Sequence, residues 1–142
     1  MFNHNFGGRQ WTDISFPVPI IRGQSVLVES FLPGCSVQTI VDRVKALGDK
    51  YVLTREDLLL NHFVVCRGGD LYLKMLLQDN LMHADLHPGN ILIGTLPDGR
   101  HHISMVDAGL VAKLLPVEQH NFLRLFIAVG EGDGREAAES VL

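Results

Sequence analysis

Cysteine, tryptophan and tyrosine are scarce in this 142-residue sequence, with two Cys, one Trp and two Tyr. Two thiols, Cys35 and Cys66, make neither a disulfide framework nor a metal-ligand spacing. They read as reduced, mostly buried small hydrophobes, which fits a reducing compartment. No apolar run approaches the ~20 residues that span a bilayer. The longest, Leu58 to Cys66, is broken by Asn61 and His62. A dense Lys/Arg run is missing too: twelve basic against sixteen acidic side chains leave a net charge of −4. That balance argues against a nucleic-acid partner, whose phosphates demand clustered cations. The opening Met-Phe-Asn-His-Asn has neither a secretory hydrophobic region nor an Arg-rich transit face, so no targeting segment is visible. Repeats and low-complexity tracts are lacking as well.

What is present is globular, at 46% hydrophobic and 20% charged, in the length of one domain or of half a larger one. Ile14 to Ile21 is an apolar run that Pro17 and Pro19 demote to an edge strand or extended lead-in. Ser25–Phe31 is the best early strand, ended by Pro33-Gly34. Ser36 can cap a helix over 37–47 that Gly48 closes. Thr54 and Asp57 form a capping box for a helix over 55–66; Gly68-Gly69 should break it, and Asp70 should cap another through Gln78. Two β-prone runs around Pro97-Asp98-Gly99 predict a hairpin over 91–106. Pro116 precedes a helix over 117–129 that Gly130 stops, and Asp133 with Glu136 opens a last one. That helix is expected to be still running at Leu142, which suggests a truncated polypeptide.

The chemistry concentrates in His83-Ala84-Asp85-Leu86-His87-Pro88-Gly89-Asn90, followed seventeen residues after Asn90 by Asp107-Ala108-Gly109. The loop puts Asp85 and Asn90 on one rim, and the hairpin should carry Asp107 back beside Asn90. Two acids and an amide oxygen then converge, with Gly109 leaving room for a ligand. Hard oxygen donors in this number suit Mg²⁺, which completes its shell with phosphate oxygens. One carboxylate remains to accept a proton from an attacking hydroxyl. This is the layout H-x-D-x-x-x-x-N, then D-x-G, of a kinase catalytic loop and its magnesium-binding strand end. Two other readings stand beside it. His83, Asp85 and His87 alternate and could share a face toward Zn²⁺, although His101 and His102 look solvent-exposed and offer little help. Alternatively, Asp85 and Asn90 are turn residues beside Pro88-Gly89. His83 itself reads as a loop brace.

The run His-Ala-Asp-Leu-His-Pro-Gly-Asn-Ile-Leu over 83–92 resembles the catalytic loop of the aarF/UbiB-type atypical kinases. Phe16-Pro17-x-Pro19, Val26-Leu27-Val28-Glu29-Ser30-Phe31-x-Pro33-Gly34 and Leu73-Lys74-Met75 resemble the same family. So does Gly132-Asp133 with Ala137-Ala138, and Asp107-Ala108-Gly109 is similar to the mitochondrial aarF-domain kinase 2 branch. The resemblance implies an α+β, protein-kinase-like fold in partial form: hinge strands, then a mostly helical C-lobe with a catalytic-loop hairpin. Residues 1–35 would be the N-lobe remnant and hinge, and 36–142 the C-lobe. It implies Asp85 as the catalytic-loop aspartate and Asn90 and Asp107 as magnesium ligands. Val28, Glu29 and Phe31 would form the hinge against adenine.

ATP and Mg²⁺ are the implied cofactors. The implied activity is ATP hydrolysis or phosphotransfer to an unknown small-molecule or lipid substrate, linked to coenzyme Q (ubiquinone) biosynthesis in mitochondria. Membrane association is implied only by the family. No Ala-Pro-Glu follows Asp107, so a peptide-docking segment is not visible. The family's K-x-G-Q extension, alanine-rich nucleotide loop, strand lysine and helix glutamate are not among these residues. The chain alone is therefore expected to turn over little ATP. Two rivals remain: an aminoglycoside- or choline-kinase-like phosphotransferase, with a similar loop, and a truncated non-catalytic adaptor.

Overall fold

The computed structural model describes residues 1–141. A short helix α1 (Phe2–Asn5) and a 3₁₀ turn (Arg9–Trp11) lead into β1 (Ile14–Ser15). β2 (Pro19–Arg22) and β3 (Leu27–Glu29) form an antiparallel ribbon of their own. β4 (Cys35–Ser36) runs directly into α2 (Val37–Leu47), and α3 (Arg55–Leu73) continues as a π-helical turn at Lys74–Gln78. Next come β5 (Met82–His83), β6 (Ile91–Thr95), β7 (His101–Met105) and β8 (Val111–Ala112). The described residues end in α4 (Pro116–Glu131) and α5 (Gly134–Glu139). The main sheet has the order β1-β7-β6-β4, with β1 parallel to β7 and the other pairs antiparallel. β5 and β8 make a separate two-stranded ladder. This is an α+β architecture. No helix among the described residues is long and apolar enough to cross a membrane.

Local chemistry sets several boundaries as expected. The Ser36 side chain accepts from the Thr39 N–H, and Gly48 ends α2 at φ +49°, a conformation a β-carbon disfavours. Thr54 and Asp57 complete the capping box of α3 in both directions. β6 and β7 pair from Ile91↔Met105 to Thr95↔His101 around the Pro97-Asp98-Gly99 turn.

Other boundaries move. Gly68-Gly69 does not break α3, and Asp70 caps nothing, because the helix runs on to Leu73. Two interior glycines cost about 1 kcal/mol each. Against this stand the burial of Leu71, Met75 and Leu76 just beyond them and the anchoring of Arg67 to Asp13. Gly130 lies inside α4, which ends at Gly132 with φ +75°. α5 ends at Glu139, where the Ser140 hydroxyl donates to the Glu136 carbonyl. The expectation of a helix still running at Leu142 falls on a residue outside the described ones. The strand expected over Ser25–Phe31 shrinks to Leu27–Glu29, since only those residues find partners in β2. Cys66 is exposed and Cys35 half-buried, not mostly buried as expected. His101 and His102 are half-buried on β7, not solvent-exposed.

The core joins the first sixteen residues to the hairpin. Phe2 stacks on Phe16 with ring centroids 4.7 Å apart, and Phe6 meets Trp11 edge-on at 5.0 Å. These aromatics pack with Ile14, Leu71, Met75, Leu81, Ile93, Ile103 and Met105. Arg67 closes the same junction: its Nε and one terminal nitrogen donate to the two Asp13 carboxylate oxygens at 2.6 and 2.7 Å. The Pro33-Gly34 segment meets the hairpin at two glycines. A β-carbon on Gly34 would lie 3.0 Å from the Ile93 carbonyl oxygen, and one on Gly94 3.2 Å from that of Pro33.

Candidate functional site

Two loops, 84–90 and 106–110, are fastened to each other at both ends. The Ala84 N–H donates to the Leu110 carbonyl at 3.0 Å, extending the β5–β8 ladder. At the other end the Val106 N–H donates to the Asn90 carbonyl at 2.9 Å, extending the β6–β7 hairpin. Between these clasps His83 spans the gap. Its Nε2 lies 2.9 Å from the Val106 carbonyl, and its Nδ1 accepts from the Asp85 N–H at 3.2 Å. The partners assign the neutral tautomer with the proton on Nε2. The ring is 4% exposed, so His83 is a brace.

Inside the first loop the Asp85 carbonyl accepts from the His87 N–H and from the Asn90 side-chain amide, each at 3.0 Å. Asn90 is buried, and with its NH₂ committed, its Oδ1 accepts no hydrogen bond among the described residues. The Asp85 and Asp107 side chains are both exposed. The Gly89 N–H donates to His87 Nδ1, and a β-carbon at Gly89 would fall 2.6 Å from that exposed ring, which would have to swing aside. The Gln38 N–H, in the first turn of α2, donates to the Pro88 carbonyl at 3.0 Å and fixes the loop to the helix.

Asp107 takes φ +56°, a left-handed conformation uncommon outside glycine. The turn departs from the strand direction there, and a β-carbon on Gly109 would come within 3.8 Å of Asp107 Oδ1. The frame thus exposes two carboxylates and leaves one amide oxygen free. That donor set fits Mg²⁺, which binds through one or two carboxylates and takes phosphate oxygens for the rest. It does not fit Zn²⁺. Both nitrogens of His83 are engaged, and no group of three His, Cys, Asp or Glu side chains among the described residues could hold a metal.

Val28, Glu29 and Phe31, the residues expected at a hinge, are not tied to this frame by any hydrogen bond among the described residues. Val28 and Glu29 lie on the β2–β3 ribbon, and Phe31 is 88% exposed.

Three supports were not expected from the sequence. Asn80, at φ +44°, exchanges two hydrogen bonds with the Leu114 backbone at 2.8 and 2.9 Å, setting the approach to β5 and the exit from β8. Lys74 Nζ reaches Asp79 at 2.6 Å across the π-helical turn and sits 4.9 Å from the Phe6 ring centroid. His102 links Ser15 and Ser104, with Nε2 3.0 Å from one hydroxyl and Nδ1 3.3 Å from the other. Burial pushes the His102 imidazole below its ordinary pKa, although the Asp13 carboxylate pulls the other way. Only Asn80 offered a cue, since Asn tolerates the left-handed region.

A hairpin-borne Asp-x-Gly clasped to a His-x-Asp-x-x-x-x-Asn loop defines a kinase-like domain. Residues 2–141 match the family model of the ABC1 atypical kinase-like domain. The chain therefore belongs to this ABC1 (aarF/UbiB) family of atypical kinase-like proteins. It is 34% identical to a Dictyostelium discoideum protein named probable serine/threonine-protein kinase abkC, over 68% of this chain and 12% of that one. A Schizosaccharomyces pombe protein named a mitochondrial ABC1 family protein is 27% identical over 96% of this chain and 24% of its own length. Pseudomonas fluorescens proteins named probable protein kinase UbiB reach 32% identity over 51% of the chain and 14% of theirs. The chain thus spans an eighth to a quarter of the length of these curated relatives. A Mycobacterium tuberculosis protein solved in complex with erythromycin shares the fold at TM-score 0.59 and 21% identity. That likeness covers 98% of this chain and 31% of the other.

Proposed function

We propose that this chain carries the lower half of an ATP- and Mg²⁺-dependent phosphotransfer or ATPase site. In this reading residues 36–142 are the kinase-like C-lobe and 1–35 the hinge with part of the N-lobe. The observation that carries the reading is the double clasp between the loops 84–90 and 106–110, Ala84 to Leu110 and Val106 to Asn90. A frame closed at both ends holds the backbones of its two loops at fixed separation, and phosphoryl transfer is almost entirely positioning and electrostatics. Asp107 and the free Asn90 Oδ1 would hold the metal, and bound Mg²⁺ would supply charge neutralisation for the phosphate oxygens. Asp85, exposed on the opposite loop, would take the proton from the attacking hydroxyl or water. His83 keeps the Asp85 backbone and the Val106 carbonyl in register while this happens. Val28, Glu29 and Phe31 would meet the adenine.

The relatives' names support a kinase-like activity, and those named mitochondrial or UbiB support a mitochondrial setting and a link to ubiquinone biosynthesis. The acceptor would be water or a small-molecule or lipid substrate, and membrane association would follow the family. The family match favours this reading over an aminoglycoside- or choline-kinase-like enzyme. Titration calorimetry tests it. Asp107→Asn should weaken Mg²⁺-ATP by far more than it weakens ATP in EDTA. Equal losses in both conditions would remove the metal role of Asp107.

A further inference from the structure

His87 is the one polar side chain of the two site loops that phosphotransfer, as read above, leaves without a role. Backbone bonds tie it to both neighbours that have one. The His87 N–H donates to the Asp85 carbonyl at 3.0 Å, and the His87 carbonyl accepts from the Asn90 N–H at 2.9 Å. The turn closed by the second bond keeps the His87 and Asn90 α-carbons within about 7 Å. An imidazole on that turn is in range of a group bound beside the Asn90 amide oxygen.

The contacts of the ring fix what it can offer. Its Nδ1 accepts from the Gly89 N–H at 3.0 Å, so the neutral ring carries its proton on Nε2. The side chain is exposed, and Nε2 makes no hydrogen bond among the described residues. With Nδ1 occupied, the ring has a donor to give and no free acceptor. It is therefore no rival to Asp85 as a base. Gly89 is what lets the ring lie there, since a β-carbon would fall 2.6 Å from Cε1 and 2.9 Å from Nδ1.

Donors are otherwise scarce in the frame. Loops 84–90 and 106–110 contain no Lys, Arg, Ser, Thr, Tyr or Trp. The Asn90 amide is turned to the Asp85 carbonyl. The side chains thus present oxygens to a metal and a single free N–H, that of His87, to an anion.

We propose that His87 Nε2–H donates to the γ-phosphate of bound ATP, with Gly89 positioning the ring. The assignment rests on the phosphotransfer reading: a base at Asp85 acts on a nucleophile that attacks the γ-phosphorus, so the γ-phosphate lies beside the loop that holds Asp85 and His87 together. A neutral donor facing an anionic oxygen makes a charge-assisted bond, stronger than one between neutral groups. ADP ends one phosphate short of it. His87 therefore separates ATP from ADP.

Calorimetry on the full chain with Mg²⁺-ATP and Mg²⁺-ADP tests this. His87→Ala should weaken Mg²⁺-ATP about tenfold and leave Mg²⁺-ADP unchanged, which also shows that the variant is folded. His87→Gln, whose amide NH₂ can stand in for Nε2–H, should keep most of the ATP affinity. His87→Asn, too short to do so, should lose as much as His87→Ala. Gly89→Ala displaces the ring without altering it and should match His87→Ala. Combining the two should cost nothing more, because a ring already displaced has no contact left to lose. Nitrogen NMR should show Nε2 protonated in the free protein and its resonance shifting with Mg²⁺-ATP but not with Mg²⁺-ADP. Equal losses for ATP and ADP, full ATP affinity in Gly89→Ala, additive losses in the double variant, or an unmoved Nε2 resonance would each overturn the role of His87. Asp107-dependent binding of Mg²⁺-ATP would in those cases leave the phosphotransfer reading standing. No binding of Mg²⁺-ATP by the wild-type chain would overturn both.

Discussion

The side-chain amide of Asn90 donates to the main-chain carbonyl of Asp85 at 3.0 Å, five residues back along the same loop. This one contact fixes the rim that carries the Asp85 carboxylate and turns the Asn90 amide oxygen the other way. In the proposed reading this buried Asn, with one amide N–H given to backbone and its oxygen unpartnered among the described residues, would offer that oxygen to a cation. An acid at this position would repel the Asp85 carbonyl, which the amide N–H instead satisfies.

From that rim follows the role of Asp85. In a form of the protein that turns over nucleotide, Asp85→Asn should spare Mg²⁺-ATP binding. It should slow phosphate release by roughly 10²–10⁴, the range for a positioned acid–base group. An unaltered turnover number would reduce Asp85 to a loop residue.

His83 is testable without activity. His83→Phe keeps the buried ring volume but leaves the Val106 carbonyl without its side-chain donor. Loss of a buried partner costs about 1–3 kcal/mol. Urea titration should place the variant below the wild type by that amount, with His83→Gln recovering part of it. A wild-type midpoint for His83→Phe would mean the brace contributes nothing.

Gly34 holds the Pro33-Gly34 segment against β6 at φ +152°, where a β-carbon would press on the Ile93 carbonyl and Leu92. Both neighbours are part of the hairpin and have little freedom to yield. Gly34→Ala should therefore cost about 1–3 kcal/mol, from strain and overpacking together. Thermal unfolding measures it, and Gly99→Ala, strained in φ but with open space around it, should cost less.

The Asp13–Arg67 pair predicts a pH dependence. Burial alone would raise the Asp13 carboxyl, but the hydrogen bonds and charge of Arg67 outweigh it and hold Asp13 below the ordinary 3.8. The folded state thus binds its proton less readily than the unfolded chain. The stabilisation is present above that ordinary value and is lost as pH falls through the lower folded one. Stability measured from pH 6 down to pH 2 should drop more steeply below about pH 4 in wild type than in Asp13→Asn. Parallel curves would show that the pair does not couple to folding.

The parts legible in the sequence were those encoded within a few residues. Ser36, Thr54 with Asp57, and the Pro97-Asp98-Gly99 turn each satisfy backbone groups three or four residues away, so α2, the start of α3 and the β6–β7 hairpin could be read directly. The His83–Asn90 octad and Asp107 were legible for the same reason, because the hairpin between them has a fixed length. Only the tertiary structure decided the rest. Arg67 finds Asp13 from 54 positions away, and Asn80 finds Leu114 from 34. Such contacts have no spacing rule, so nothing local announces them. They decide, against local propensity, that α3 passes through Gly68-Gly69 and that His102 is half-buried between two serines. The sequence named Asp85, Asn90 and Asp107 by residue type and order. It took the clasps at Ala84–Leu110 and Val106–Asn90 to put their loops on one frame, because a backbone hydrogen bond between distant strands is specified by packing and by no single residue.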